Sequence, residues 1–202
     1  MLTENYLKLI IGPMFSSKSS SLLSEINKLK YITDKILVIN SILDKERHKD
    51  MEINDRSIGL IKTHDDKSFS AIMVNELYEL KTNTFFNSKY EYANIIIIDE
   101  GQFYKDLYNF VYDELSNVNN RKMFIVAGLS SDFNMKPIGD IISLVPLADE
   151  IIKLSALCVY CKDGTPASFT KLTKTMPSNT NVLVGAKDSY SPCCRKHFLI
   201  LH

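Results

Sequence analysis

Gly12-Pro13-Met14-Phe15-Ser16-Ser17-Lys18-Ser19 follows the apolar run Tyr6 to Ile11 and precedes a segment with helical spacing. A phosphate-binding loop occupies that place, between a buried strand and the helix that follows it. In the usual pattern, G-x-x-x-x-G-K-[ST], backbone N–H groups wrap the phosphates, a Lys neutralises them and a hydroxyl reaches Mg²⁺. Here Ser17 stands in place of the second Gly. By itself the string fits an ordinary strand-to-helix turn equally well, so the rest of the chain decides its meaning.

Tyr6 to Ile11 reads as a buried strand, and Ser19 to Tyr31 as a helix with Leu22, Leu23, Ile26 and Leu29 on one face. Lys35 to Ile39 is a second short strand, and the polar stretch Ser41 to Arg56 reads as a mobile loop. Ile58 to Ile61 suggests an edge strand and Val74 to Leu80 a short helix. Asn94 to Ile98 is a run of β-branched residues, the composition of a strand covered on both faces in a parallel sheet. A helix over Lys105 to Leu115 and a strand over Lys122 to Ala127 continue the alternation, which implies an α/β layer fold. Ile138 to Leu147 adds a helix and Ile151 to Leu154 a last core strand. From about Ser155 the composition turns to Cys, Gly, Pro, Thr and Lys, with short alternating pieces around Ser168 to Leu172 and Asn181 to Val184. A module this small needs a staple.

The chain has 202 residues, enough for one good core and a small appendage. Its 24 Lys plus Arg balance 24 Asp plus Glu, so no basic field advertises a nucleic-acid or anionic-membrane partner. No apolar stretch approaches the roughly 20 residues of a membrane span, and the N-terminus lacks a signal-peptide layout. The expectation is a cytoplasmic protein. All 4 Cys lie in the C-terminal module. In a reducing compartment that points to metal binding more than to disulfides.

Two sets of residues carry chemistry. The strand Asn94 to Ile98 runs into Asp99-Glu100-Gly101-Gln102-Phe103, which puts two carboxylates at the carboxyl end of a buried strand, the edge where open α/β sheets bind ligands. An Asp there can hold Mg²⁺, usually through water, while an adjacent Glu can take a proton from an attacking hydroxyl. Cys158-x-x-Cys161 and Cys194-x-x-His197 are two half-sites at opposite ends of the module, the arrangement of a tetrahedral structural Zn²⁺. Cys193 is then a spare thiol, or the ligand in place of Cys194 if the register is one residue off.

The series G-P-M-F-S-S-K-S, D-E-G-Q-F, P-I-G-D-I, L-V-P-L-A-D, C-V-Y-C and C-R-K-H-F resembles the thymidine kinase family with a zinc-binding lasso, from about Lys8 to Phe198. The resemblance implies a P-loop NTPase-like parallel sheet with helices on both faces, an ATP-binding domain over 1–154, and a zinc-ribbon-like lasso domain over 155–202 that closes on the nucleoside. It implies transfer of the γ-phosphoryl of ATP to the 5′-hydroxyl of thymidine or deoxyuridine, with Mg²⁺, in nucleotide salvage for DNA synthesis. A homotetramer with feedback by thymidine triphosphate is implied too. Residue by residue, Gly12 to Ser19 match the phosphate loop, with Lys18 on the phosphates and Ser19 on Mg²⁺. Asp99 matches the Mg²⁺ carboxylate, Glu100 the catalytic base, and Gln102 the nucleotide-contact stretch, which Arg47 joins. Met14, Phe103, Leu129 and Phe133 match the walls of the base pocket. Thr170, Asn181, Val182, Leu183, Val184, Gly185 and Tyr190 match the lasso, where backbone groups read the edge of thymine.

The chain departs from the family pattern at several places. Ser17 replaces the loop Gly, Ser130 an acidic residue, and Leu172 an Arg; His197 stands where a fourth Cys is common. Lys45-Glu46-Arg47-His48 keeps only the Arg of Asp-x-Arg-Tyr, with Asp44 as the nearest substitute carboxylate. If Ser17 must be left-handed, the strain of about 1–2 kcal/mol is expected to weaken ATP binding, and Ser17→Gly to relieve it. Two alternatives stay open at this point. One is a family member that binds nucleotide but turns over poorly; the other is a zinc-ribbon nucleic-acid-binding ATPase.

Overall fold

In this computed structural model, which describes residues 4–43, 58–62, 68–173 and 189–200, four consecutive isoleucines form the centre of the sheet. The main strands are β1 (Tyr6–Gly12), β2 (Ile36–Ser41), β3 (Ile58–Lys62), β4 (Ser68–Val74), β5 (Ile95–Ile98), β6 (Met123–Leu129) and β7 (Glu150–Lys153). They lie in the order β3-β4-β2-β5-β6-β1-β7. Every neighbouring pair is parallel except β3 with β4. Strand alternation sends Ile95 and Ile97 to one face and Ile96 and Ile98 to the other, and all four are buried because both faces are covered.

One face packs on α1 (Lys18–Lys30) through Leu22, Leu23 and Ile26, which meet Ile10, Val38, Ile97, Ile125 and Ala127. Lys8 shares that face. Burial alone would lower its pKa, but hydrogen bonding and charge from Glu150, together with Glu25 of α1, outweigh this and hold the ammonium above its ordinary value. The opposite face is covered by α3 (Thr84–Tyr92), α4 (Leu107–Ser116) and the segment Ile141–Leu147, through Phe86, Tyr90, Phe110, Val111, Ile141 and Leu144. The α/β reading with helices on both faces is what the chain adopts.

Three expectations need correction. Val74 ends strand β4 instead of starting a helix, and the helical turn comes later, as α2 (Glu79–Thr82). Ala71, Ile72, Met73 and Val74 are all buried, so β4 lacks the apolar and polar alternation that marks a half-exposed strand. Helix α3, not anticipated, starts where Asn83 accepts a hydrogen bond from the Phe85 N–H. Ile138 to Leu147 is helical only from Ile141, as a 3-10 segment holding Pro146, whose missing N–H disfavours a regular α-helix. The last strand of this sheet, Glu150–Lys153, is an edge rather than a core strand: among the described residues it pairs with β1 alone, and Ile151 is 43% exposed.

The C-terminal module holds two small antiparallel pairs: β8 (Ala156–Leu157) with β9 (Pro166–Ala167), and β10 (Phe169–Leu172) with β11 (Tyr190–Cys193). The short helix α5 (Arg195–Ile200) follows. Among the described residues the module's buried cluster is Ala156, Cys158, Ala167, Cys193 and Phe198. So few buried groups do not offset the entropy of ordering the module, consistent with the expected need for a staple. Among the described residues no helix is long and apolar enough to cross a membrane.

Candidate active site

Because β1, β5 and β6 are parallel neighbours in the sheet, their carboxyl ends share one edge, from which the phosphate-loop segment and the Asp99-Glu100 turn both leave. The phosphate loop leaves β1 held from both sides. Ser130 N–H donates to the Gly12 carbonyl at 3.2 Å, and Leu154 N–H donates to that of Ile11 at 2.8 Å. A side chain at Gly12 would stand 2.6 Å from Ser16 Oγ and 2.8 Å from the Leu154 carbonyl, so the loop closes only over a glycine. Within the loop, Ser16 Oγ and Lys18 Nζ both donate to the Pro13 carbonyl, at 2.8 and 2.7 Å. The loop then passes into α1, whose first N–H groups and positive dipole end favour an anion.

Ser17 is the N-cap of α1 at φ 60° and ψ 29°, and its side chain makes no capping hydrogen bond. The left-handed conformation belongs to the folded loop itself, so its cost falls on folding rather than on phosphate binding. Glycine regains about 1–2 kcal/mol of strain and gives back about 0.5–1 kcal/mol of chain entropy. Ser17→Gly is therefore expected to raise stability by up to about 1.5 kcal/mol, a Tm increase of up to about 3–6 °C for a chain of this size. Phosphate affinity should change little. Calorimetric scans of the two proteins check this, and an unchanged or lower Tm in the glycine variant refutes it.

At the end of β5, Asp99 N–H extends the ladder to the Ile39 carbonyl at 3.0 Å, which sets Asp99 beside Asn40 at the end of β2. Glu100 then turns the chain at φ 52° and ψ 41° into a 3-10 turn, Gly101–Phe103. A left-handed glutamate costs about 1–2 kcal/mol, and such strain gathers at functional sites. Asp99 Oδ1 accepts from the Glu100 N–H at 2.9 Å, and both carboxylates are buried. Gln102 joins this turn to β6. Its Oε1 accepts the Leu129 N–H at 2.9 Å, which leaves its amide NH₂ to donate to Glu100 Oε2 at 2.5 Å.

Sequence reasoning missed the residues that make room for this bridge. A Cβ at Gly128 would overlap Gln102 Oε1, and one at Gly139, which also stands at φ +55°, would overlap the Gln102 backbone. The glycine of P-I-G-D-I thus packs on the backbone of the glutamine of D-E-G-Q-F. Buried Asn40 and Ser41 at the end of β2 were missed too; the signal was a polar pair closing the apolar run ILVI. If chemistry at Glu100 depends on this bridge, Gly128→Ala should displace Gln102 and lower kcat about 10- to 100-fold, since displacement of a catalytic group by about 1 Å costs up to 10². Steady-state kinetics beside an unfolding curve would show it; full activity in a stable Ala variant would contradict the role given to the bridge.

Of the expected pocket walls, Leu129 and Phe103 join the acidic turn, the first through Gln102 and the second through Phe103 N–H to the Glu100 carbonyl at 3.0 Å. Two other pairs meet across the two parts of the chain. Met14 N–H donates to Thr170 Oγ1 at 2.9 Å, and the rings of Phe133 and Tyr190 stand 6.5 Å apart at 40°. Arg47 lies outside the described residues, as do Asn181, Val182, Leu183, Val184 and Gly185 and most of the expected loop Ser41 to Arg56.

In the C-terminal module, Cys158, Cys161, Cys194 and His197 place one donor atom each within 4.8 Å of all the others. His197 Nδ1 lies 3.3 Å from Cys161 Sγ, 3.3 Å from Cys194 Sγ and 3.6 Å from Cys158 Sγ, and Cys161 and Cys194 sulfurs are 3.8 Å apart. Tetrahedral Zn–S and Zn–N bonds require about 3.8 Å between sulfurs and about 3.6 Å between sulfur and nitrogen. Three soft thiols and an imidazole in that arrangement suit such an ion and not the oxygen-seeking Mg²⁺ or Ca²⁺. The turn between the first two ligands and β9 carries two left-handed residues, Lys162 at φ 57° and Gly164 at φ +87°. Cys193 is fully buried in the module core, paired with Phe169, so Cys194 is the one that joins the cluster.

A family model described as "Thymidine kinase" matches residues 5–198. The thymidine kinase of Yaba monkey tumor virus (strain VR587) is 35% identical over 192 residues, covering 95% of this chain and 93% of that protein. The thymidine kinase of Choristoneura fumiferana entomopoxvirus is 35% identical, covering 94% of each chain. Thymidine kinase a of Arabidopsis thaliana is 34% identical, over 96% of this chain and 74% of that one.

Proposed function

The chain belongs to the thymidine kinase family, and from that premise we propose that it transfers the γ-phosphoryl of ATP to the 5′-hydroxyl of thymidine, or of deoxyuridine, giving the 5′-monophosphate. The match over almost the whole chain sets aside the nucleic-acid-binding ATPase. The observation that carries the reading is the shared sheet edge, where the loop after β1, the Asp99-Glu100 turn after β5 and Leu129 at the end of β6 come together.

Phosphoryl transfer is largely a matter of position and charge. Loop N–H groups from Phe15 to Ser19 and the Lys18 ammonium cradle the phosphates, with Arg47 an additional contact. Mg²⁺, when bound, neutralises charge on the phosphate oxygens, and the Ser19 hydroxyl and the buried oxygen donor Asp99, acting through water, are the groups that would hold it. Glu100 accepts the 5′-hydroxyl proton as the bond to phosphorus forms. Gln102 holds the Glu100 carboxylate through its own bond to β6, beside the nucleotide contact proposed for it. Met14, Phe103, Leu129, Phe133, Thr170 and Tyr190 wall the base, and the segment Asn181 to Gly185 reads its edge with backbone groups. A mismatched base would leave those groups unpaired, which discriminates strongly.

The Cys158, Cys161, Cys194 and His197 cluster holds a structural Zn²⁺ whose four protein ligands leave no open position, so it folds the module and takes no part in the chemistry. The division proposed is an ATP-binding domain over 1–154 and a lasso over 155–202. A cytoplasmic homotetramer is the assembly proposed; among the described residues no strand pairs with the outer side of β7, which is compatible with self-association. Sedimentation tests that point. Labelled ATP offered with each natural deoxynucleoside in turn tests the function. Phosphorylation of thymidine and deoxyuridine alone is expected, and a protein that binds ATP yet phosphorylates none of them would be the weakened family member instead.

A further inference from the structure

The outer side of the phosphate loop is held by the C-terminal module at two successive residues. Met14 N–H donates to the hydroxyl of Thr170, which is buried on β10. Phe15 adopts φ 65° and packs against the module core formed by Ala156, Cys158, Ala167, Cys193 and Phe198. Thr170 pairs with Pro192 and Phe169 with Cys193 on β11, and the next residue is the ligand Cys194. Within the loop, Ser16 Oγ and Lys18 Nζ donate to the Pro13 carbonyl, contacts internal to it. A left-handed phenylalanine persists only where its surroundings hold it.

We propose that Thr170 and Phe15 are positioning residues for the phosphates of ATP, through which the folded Cys/His module holds the phosphate loop in its binding shape. This rests on the reading of Gly12 to Ser19 as the phosphate loop. It gives Thr170 a part in ATP binding beyond the nucleoside pocket, where the sequence placed it. Loss of the hydroxyl leaves the Met14 N–H without its acceptor, and the loop shifts to find another, which re-aims the N–H groups of residues 15–19. Because coupling between sites is reciprocal at equilibrium, ATP and the module's metal must strengthen each other's binding.

The test measures the affinity of a non-hydrolysable ATP analogue by calorimetry on zinc-loaded protein without nucleoside, and zinc affinity by competition with a chelating dye with and without the analogue. Thr170→Val, which keeps the shape and loses the hydroxyl, is expected to weaken the analogue about 5- to 20-fold, while Thr170→Ser stays within about twofold of the parent. The analogue should raise zinc affinity in the parent protein and do so less in Thr170→Val. If Thr170→Val does not retain zinc, Phe15→Leu, remote from the ligand set in sequence, is measured in its place with the same expectation. Analogue affinity unchanged in Thr170→Val, or in Phe15→Leu where it stands in, overturns the proposal, as does zinc affinity indifferent to the analogue. Lys18→Ala separates the two readings: if it leaves analogue affinity intact, the loop assignment fails, whereas if it alone weakens binding, the loop stands and the positioning role falls.

Discussion

Glu100→Gln is expected to lower kcat by about 10²- to 10⁴-fold while ATP and thymidine still bind, the loss that follows removal of a general base. Glutamine matches glutamate in shape, and its amide oxygen can still accept the Gln102 NH₂, so the turn and its packing against β6 survive the change. What disappears is the ability to take a proton. An interaction made only in the transition state shows itself in kcat and leaves KM nearly unchanged. Thymidine KM and ATP affinity, measured on the same preparation, separate this from a damaged site. A variant with near-normal kcat would mean that another group is the base and that the function of the acidic turn has been misread.

Cys161→Ser is expected to lose the metal and disorder the C-terminal module. Structural zinc supplies about 10–16 kcal/mol of apparent binding free energy in small metal-folded domains. Among the described residues, the module's small buried cluster of Ala156, Cys158, Ala167, Cys193 and Phe198 cannot replace that. Thymidine KM should rise steeply, because Thr170 and Tyr190 lose their placement. ATP affinity should fall as well, by way of Met14 and Phe15, although the α/β core remains folded. Elemental analysis and limited proteolysis report the two effects separately, with cleavage confined to the region after Ser155. Folded, active parent protein that contains no zinc would refute the assignment.

Local pattern and tertiary context contributed differently to what could be read. The strand Tyr6 to Gly12, the isoleucine run of β5 and helix α1 were legible because each carries its own periodicity or β-branched run within a few residues. The ligands Cys158, Cys161, Cys194 and His197 were legible for a similar reason: metal-binding half-sites repeat short fixed spacings, and only the choice of Cys194 over Cys193 awaited the burial of Cys193. Strand β4 was not legible, since burial on both faces erased its alternation, and α3 was passed over although Asn83 marks its start.

For the site, the amino-acid sequence by itself determined which chemical groups are present: a lysine and hydroxyls in a phosphate loop, two adjacent carboxylates after a buried strand, three thiols and an imidazole. Only the tertiary structure decided how they are held. The bond from Leu129 to Gln102 joins residues 27 apart, and that from Met14 to Thr170 joins residues 156 apart. Gly128 and Gly139 are needed as glycines by a side chain and a backbone brought to them from elsewhere in the chain. Periodicity and spacing record a residue's neighbours along the chain, whereas hydrogen-bond partners and steric room are set by neighbours in space, which exist only once the sheet has assembled.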